Sequence, residues 1–217
     1  MSLRLIRVLV EVTPKKAYAS ALDWPGLARS GRDERSAIEA LLVTVPRYAL
    51  VVAAAGLVFD PAGLDAEVVE RVPGDASTAF GVPAMIAAAD REPTDAAEAA
   101  RLAALVEASW AAFDRIAAAA PESLRKGPRG GGRDTSKVVE HVHGGDQAYA
   151  AVLGRKHKLV DRASVDAMRA DVLTVLRESP DGAPVAGRRW PVRYAARRIA
   201  WHALDHAWEI EDRTEPA

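Results

Sequence analysis

Two histidines near the C-terminus have the residue type and the spacing best suited to chemistry in this chain. His202 and His206 lie four residues apart, within a stretch from Trp190 to Arg213 that holds strong helix formers and no glycine. Four residues make about one helical turn, so both imidazoles project from the same face. Such a pair can supply two ligands to one metal ion, with a third from a facing helix. Two ordinary histidines on a half-buried helix are the alternative.

A second predicted helix, Lys137 to Leu153, offers the third ligand. It contains His141 and His143, which are about 200° apart around a helix, so both cannot face one site. Gly144 and Gly145 follow at the third and fourth positions after His141 and share its face. Each glycine weakens a helix by about 1 kcal/mol relative to alanine, so we expect something to approach the backbone closely there. This favours His141 as the ligand, with His143 as the alternative.

The composition restricts the chemistry available to the chain. Its 217 residues include no cysteine, which excludes disulfides, thiolate nucleophiles and cysteine-ligated metals. Any metal ion must therefore be held by histidine, aspartate or glutamate. The net charge of −1 gives no global attraction to nucleic acid or to an anionic membrane surface. We expect the partner to be a small-molecule substrate or a second copy of the chain in a homodimer.

The sequence shows neither an obvious membrane span nor an export signal. The longest apolar run, residues 48–59, is too short to cross a bilayer. The N-terminal residues lack the uninterrupted apolar core and the small-residue cleavage site of a signal peptide. We therefore expect a cytoplasmic protein.

The first 75 residues are expected to form a small α+β domain. Alternating apolar residues and turn signals predict strands at residues 3–12, 17–22, 27–30 and 66–72. Asp33 is a suitable N-cap for a helix between the third and fourth strands, and Pro46 should end or kink that helix. The pattern therefore predicts a ββ(β)αβ unit.

The rest of the chain is expected to be helical. Residues 76–92 are rich in glycine, proline and alanine, and predict a linker with one short helix at residues 84–89. Four long helices are predicted after it, at residues 95–120, 137–153, 164–178 and 190–213. Short connections between helices of this length favour an up-down four-helix bundle over residues 93–217.

The connection between the first two long helices is rich in glycine and basic residues. Arg125, Lys126, Arg129 and Arg133 lie among its glycines. Such a loop can embrace an anion beside a pocket, or it can simply be solvated. It is not a P-loop, because no strand precedes it and its glycines are not followed by Lys and Ser or Thr.

Two helical motifs carry a resemblance to a known superfamily. The segment Val139 to Tyr149 is similar to the second-helix motif of the DinB/YfiT-like bundles, in which a histidine precedes an acidic residue by five positions. The segment Ile199 to Ile210 is similar to the HxxxH motif of their fourth helix. The resemblance spans about residues 90–213. It implies His141, His202 and His206 as metal ligands.

The same resemblance implies a reaction class. Members of the superfamily include metal-dependent thiol S-transferases and the mycothiol-dependent maleylpyruvate isomerase. The expected ion is zinc, with nickel, iron or manganese as alternatives, because sites rich in histidine do not select zinc strongly. The thiol would come from a cosubstrate, since the chain has no cysteine.

A second resemblance covers the N-terminal region and leads to a competing function. Residues 21–31 and 33–41 resemble the N-terminal fold of HicB-type antitoxins, with a Pro-Gly turn, a small-residue stretch and a helix with an acidic start. No site residues carry over from that fold. The competing function is a non-enzymatic, stress-related or antitoxin-like binding protein with a structural or vestigial metal.

Three further residues near the histidines are candidates for supporting roles. Arg198 lies one turn before His202 and can bind an anionic group of a substrate, or form a salt bridge to Asp205, Glu209 or another helix. Asp205 or Glu140 can accept a hydrogen bond from a ligand imidazole and hold it in place.

Overall fold

The computed structural model describes residues 4–126, 132–178, 185 and 189–214. It confirms the α+β class, with a four-stranded mixed sheet at the N-terminus followed by helices. Arg129 of the basic loop lies outside the described residues.

The sheet is built from the predicted strands. Its strand order is β3-β2-β1-β4, with β1 antiparallel to β2, β2 antiparallel to β3, and β1 parallel to β4. A bulge interrupts the β1–β4 register between Val8 and Leu9. The strands are β1 (Arg4–Val12), β2 (Ala17–Ala21), β3 (Ala28–Gly31) and β4 (Leu64–Pro73).

Helix α1 (Glu34–Ala54) makes the crossover between β3 and β4. Asp33 caps it by accepting a 2.8 Å hydrogen bond from the Ser36 amide. Of the two expectations for Pro46, an end of the helix is not observed, because α1 continues through it to Ala54. Pro46 is exposed, where solvent can satisfy the carbonyl that its missing N–H leaves free.

Helix α1 is long and apolar. Among the described residues, it is the one helix whose length and mean hydropathy of 1.7 would allow it to cross a membrane. One face of the helix packs on the sheet, as the core helix of a folded domain does. The buried residues of that face are Ala37, Leu41, Val45, Tyr48, Val51 and Val52.

The segment between the sheet and the long helices differs from the predicted short helix at residues 84–89. Its regular structure is instead helix α2 (Ala76–Phe80) and one 3₁₀ turn (Ala89–Arg91). The segment covers the second face of the sheet, where Ala87 packs with Leu9 and Leu22. Burial of those leucines explains why an apparently featureless stretch lies against the sheet.

Four long helices follow, close to their predicted bounds. They are α3 (Ala96–Ala119), α4 (Thr135–Val152), α5 (Arg162–Glu178) and α6 (Val192–Arg213). Helix α3 packs against α5 and α6, and α4 packs against the same two helices. Pro191 is the N-cap of α6, so the helix begins one residue later than the Trp-Pro start suggests.

Helix α6 lies between the long helices and the sheet. Its alanine-rich face, including Ala203 and Ala207, joins the core formed with α3, α4 and α5. Leu204 and Trp208 instead join the core formed by the sheet and α1. A buried ion pair fixes the same helix to the segment before α3, with 2.9 Å between Arg197 Nε and an Asp90 carboxylate oxygen.

Candidate metal centre

The fold brings the three predicted histidine ligands together. His202 and His206 project from α6 towards His141 on α4, and one ligand nitrogen of each lies within 4.8 Å of the others. The Nε2 atoms of His202 and His141 are 3.3 Å apart. Two nitrogens bound to one tetrahedral zinc ion have a separation of about 3.3 Å, given Zn–N bonds of about 2.05 Å. The cluster therefore has the donor atoms for one ion, and the His141–His202 pair already has the spacing.

His202 is the most buried of the three histidines, and Gly145 of α4 leaves space for its ring. Its side chain is buried against α4 at Gly145. A Cβ atom at Gly145 would lie only 2.9 Å from Nδ1 of the His202 ring and closer still to Cε1. The same kind of atom at Gly144 would meet nothing within 4 Å. The close approach inferred from the two glycines is thus that of an imidazole, and only Gly145 is needed for it.

The environment keeps His202 neutral. Burial, together with the charges of His206, His141, Arg198 and Arg133, lowers the pKa of His202 to about 2. Burial also lowers the pKa of His141, although its residue surface is exposed. A neutral imidazole is the form that binds a metal ion, so both rings are prepared for that role. Nδ1 of His202 is buried with no hydrogen-bond partner among the described residues.

His206 is held in place by a carboxylate that the sequence interpretation did not select. Its Nδ1 lies 2.7 Å from Oε2 of Glu209, and Glu209 also accepts a 2.9 Å hydrogen bond from Arg213. The bond to His206 lowers the pKa of Glu209. With Nδ1 engaged in this way, Nε2 is the nitrogen of His206 that remains for a metal ion.

The two carboxylates expected to support the ligands lie elsewhere. Asp205 pairs with Arg29 of β3 at 3.3 Å, and Glu140 pairs with Lys137 on the surface of α4 at 2.6 Å. Helical spacing would have indicated Glu209 as the partner of His206, because Glu209 follows it by three residues and so lies on the same face. Asp205 is adjacent to His206 in sequence and points about 100° away from it.

His143, the alternative third ligand, faces away from the cluster. It lines a groove of about 490 Å³ between α4 and α5, together with Gln147 and Val165. The opposite placement of His141 and His143 follows from their separation of two residues on a helix.

Arg198 is held by aromatic rings rather than by carboxylates. Its guanidinium lies over the rings of Trp201 and Tyr149, at 4.7 and 5.4 Å from the ring centres. Tyr149 in turn packs edge-on against His202, with 5.4 Å between ring centres. The predicted alternative partners of Arg198 are engaged elsewhere, because Asp205 pairs with Arg29 and Glu209 with His206 and Arg213.

Comparison of the chain with protein-family models, with curated proteins and with solved structures finds no match. The functional interpretation therefore depends on the histidine cluster and on the residues around it.

The two adjacent glycines of α4 provide a matched pair of substitutions. We expect Gly144→Ala to raise the free energy of unfolding by about 0.5–1 kcal/mol, because the new methyl group meets nothing and alanine favours the helix. Gly145→Ala should lower it by about 1 kcal/mol or more, because the His202 ring must move. Urea unfolding followed by circular dichroism measures both. Equal effects of the two substitutions would contradict the described contact.

Proposed function

We propose that the chain is a metal-binding protein of the DinB-like superfamily, in which α3 to α6 form an up-down four-helix bundle. We further propose that it is a metal-dependent thiol S-transferase or isomerase acting on a small molecule. The observation that carries the proposal is the cluster of His141, His202 and His206, whose ligand nitrogens lie within 4.8 Å of one another. Zinc is the ion that we expect, with nickel, iron or manganese as alternatives.

Residues around the cluster support this function. Gly145 admits the His202 ring, and Glu209 fixes the orientation of His206. His141 is exposed, so one side of the cluster is accessible to a small molecule. The chemistry that the ion supplies when bound is a lowered pKa for a thiol or water at its remaining position. A cosubstrate of the mycothiol type must supply the thiol, because the chain has no cysteine.

The competing proposal is a non-enzymatic binding protein with an antitoxin-like role, in which the HicB-like N-terminal unit contacts a partner. In that case the metal site would be structural, and structural sites are usually closed by four protein ligands. The group found among the described residues contains three histidines and no carboxylate. Three ligands leave a position for a substrate, which favours the enzyme.

The first experiment is metal titration of the purified protein after chelation. We expect one zinc ion per chain for the wild type, and affinity at least about 100-fold lower for His141→Ala, since loss of a ligand costs more than loss of its supporting group. Because His141 is exposed, its replacement should leave the core intact. Calorimetry and elemental analysis measure binding, and circular dichroism verifies folding.

His157→Ala is the matched control for this titration. His157 lies in the connection between α4 and α5 and pairs with Asp171 at 3.0 Å, away from the cluster. Its replacement should leave zinc affinity unchanged. A wild-type protein that binds no zinc, cobalt or nickel would refute the metal site.

A second substitution tests the role of Glu209. Glu209→Gln weakens the interaction that orients His206, so we expect zinc affinity to fall by about 10- to 100-fold. Glu211→Gln is the control, because Glu211 pairs with Arg47 on the outside of the same helix. If both variants bind zinc as the wild type does, Glu209 does not support the ligand.

A third experiment separates an enzyme site from a structural one. Cobalt replaces zinc in the protein, and 2-mercaptoethanol is added at pH 7 as a simple thiol. An open site should bind the thiolate and give a new near-ultraviolet absorption band, because the bound ion lowers the pKa of the thiol. Cobalt binding without any response to the thiol would favour the structural metal of the competing proposal.

A further inference from the structure

Helix α6 carries four arginines, and one of them differs from the rest. Arg193 pairs with Glu98, Arg197 with Asp90, and Arg213 with Glu209. Within the described part of the chain, no carboxylate forms an ion pair with Arg198. Its Nη1 atom is buried and has no hydrogen-bond partner there. A half-buried guanidinium without an ion pair can still donate hydrogen bonds to a ligand.

The rings that hold Arg198 also prepare it for a ligand. The guanidinium carbon lies over the rings of Trp201 and Tyr149, which restrict its movement without accepting conventional hydrogen bonds from its N–H groups. The planar edge of a guanidinium matches the two oxygens of a carboxylate. Tyr149 also touches the His202 ring, which places the arginine next to the histidine cluster.

Two more buried hydrogen-bonding groups belong to residues that share a cavity with Arg198. Trp201 Nε1 and Ser20 Oγ are buried, and neither has a partner among the described residues. Together with Arg198 they line a cavity of about 10 Å³ between β2 and α6. That volume is enough for about one oxygen atom. Three residues, each with a buried and unpartnered group able to donate a hydrogen bond, thus line space for a single acceptor.

The charge around the cluster is also positive. Arg133, which ends the basic loop before α4, is close enough to His202 for its charge to act on the ring, as the charge of Arg198 does. The nearest acidic groups of α6 are already neutralised, Glu209 by Arg213 and Asp205 by Arg29. An anionic molecule would therefore be attracted to this region, and more strongly with a divalent ion present.

We propose that the substrate of the histidine site carries a carboxylate, and that Arg198 binds this group with the help of Trp201 Nε1 and Ser20 Oγ. One carboxylate oxygen would accept hydrogen bonds in the small cavity, and the other would meet the free edge of the guanidinium. The inference rests on the proposed function for its reaction, but the anion site itself can be tested with or without a metal. Arg198 is thus a residue that determines specificity for acidic small molecules.

The experiment uses acetate as the probe and ¹⁵N NMR of the tryptophan indoles as the readout. The chain has five tryptophans, so the Trp201 signal is assigned by its loss in Trp201→Phe. We expect acetate to shift the Trp201 indole signal in a saturable way, in both metal-free and zinc-loaded protein. Inorganic phosphate, titrated in parallel in metal-free protein, should bind more weakly because its tetrahedral shape fits the planar edge less well.

Arg198→Gln should weaken acetate binding about tenfold or more, because it removes a charge-assisted hydrogen bond. Ser20→Ala, which leaves the packing nearly unchanged, should weaken it a few-fold. Arg193→Gln is the control on the same helix and should bind acetate as the wild type does, since Arg193 is paired with Glu98. A signal that does not respond to acetate, or that responds equally in Arg198→Gln, would overturn the inference.

The two proposals fail in different ways. If the wild type binds no metal, the proposed function fails whatever acetate does. If zinc binds but acetate affinity is the same in the wild type and in Arg198→Gln, the metal site stands and the carboxylate inference fails. Phosphate binding that is tighter than acetate binding would also overturn it, in favour of a phosphorylated substrate.

Discussion

The burial of α6 is the constraint on which the rest of the structure depends. This helix contains four arginines and two histidines, yet it lies between the sheet and the other long helices. A buried polar side chain costs free energy unless it has a partner, so neighbouring elements must supply partners along the helix. Glu98, Asp90 and Arg29 do so for Arg193, Arg197 and Asp205. Among the described residues, the buried atoms of this helix without a hydrogen-bond partner are Arg198 Nη1, Trp201 Nε1 and His202 Nδ1, and they lie at the candidate site.

The N-terminal unit contacts the helix that carries His202 and His206. Arg29 of β3 reaches Asp205 and also lies 4.2 Å from the centre of the Trp208 ring. Arg47 of α1 contacts the same ring. These contacts fix the turn of α6 that carries His206. The small α+β unit therefore has a positioning role for the site, whatever else it binds.

The sequence allowed the local elements and the three converging histidines to be predicted, because both follow from short periodic patterns. Strand alternation and capping residues such as Asp33 indicate elements directly. The shape of residues 74–91 could not be predicted, since it follows from a sheet face formed by distant residues such as Leu9 and Leu22. Glu209, which lies beside His206, was not predicted as a support, whereas Asp205 was. Both are acidic and close in sequence, and only the direction of each side chain distinguishes them.

The burial of Leu204 and Trp208 determines whether the two halves of the protein can fold as separate fragments. Both side chains belong to a helix of the C-terminal half but are buried in the core of the N-terminal half, with Leu105 and Ala108 of α3. A fragment that begins after the sheet would expose this apolar surface to water and would be prone to aggregate. The two halves are therefore expected to fold and unfold cooperatively, as one unit rather than as separable modules.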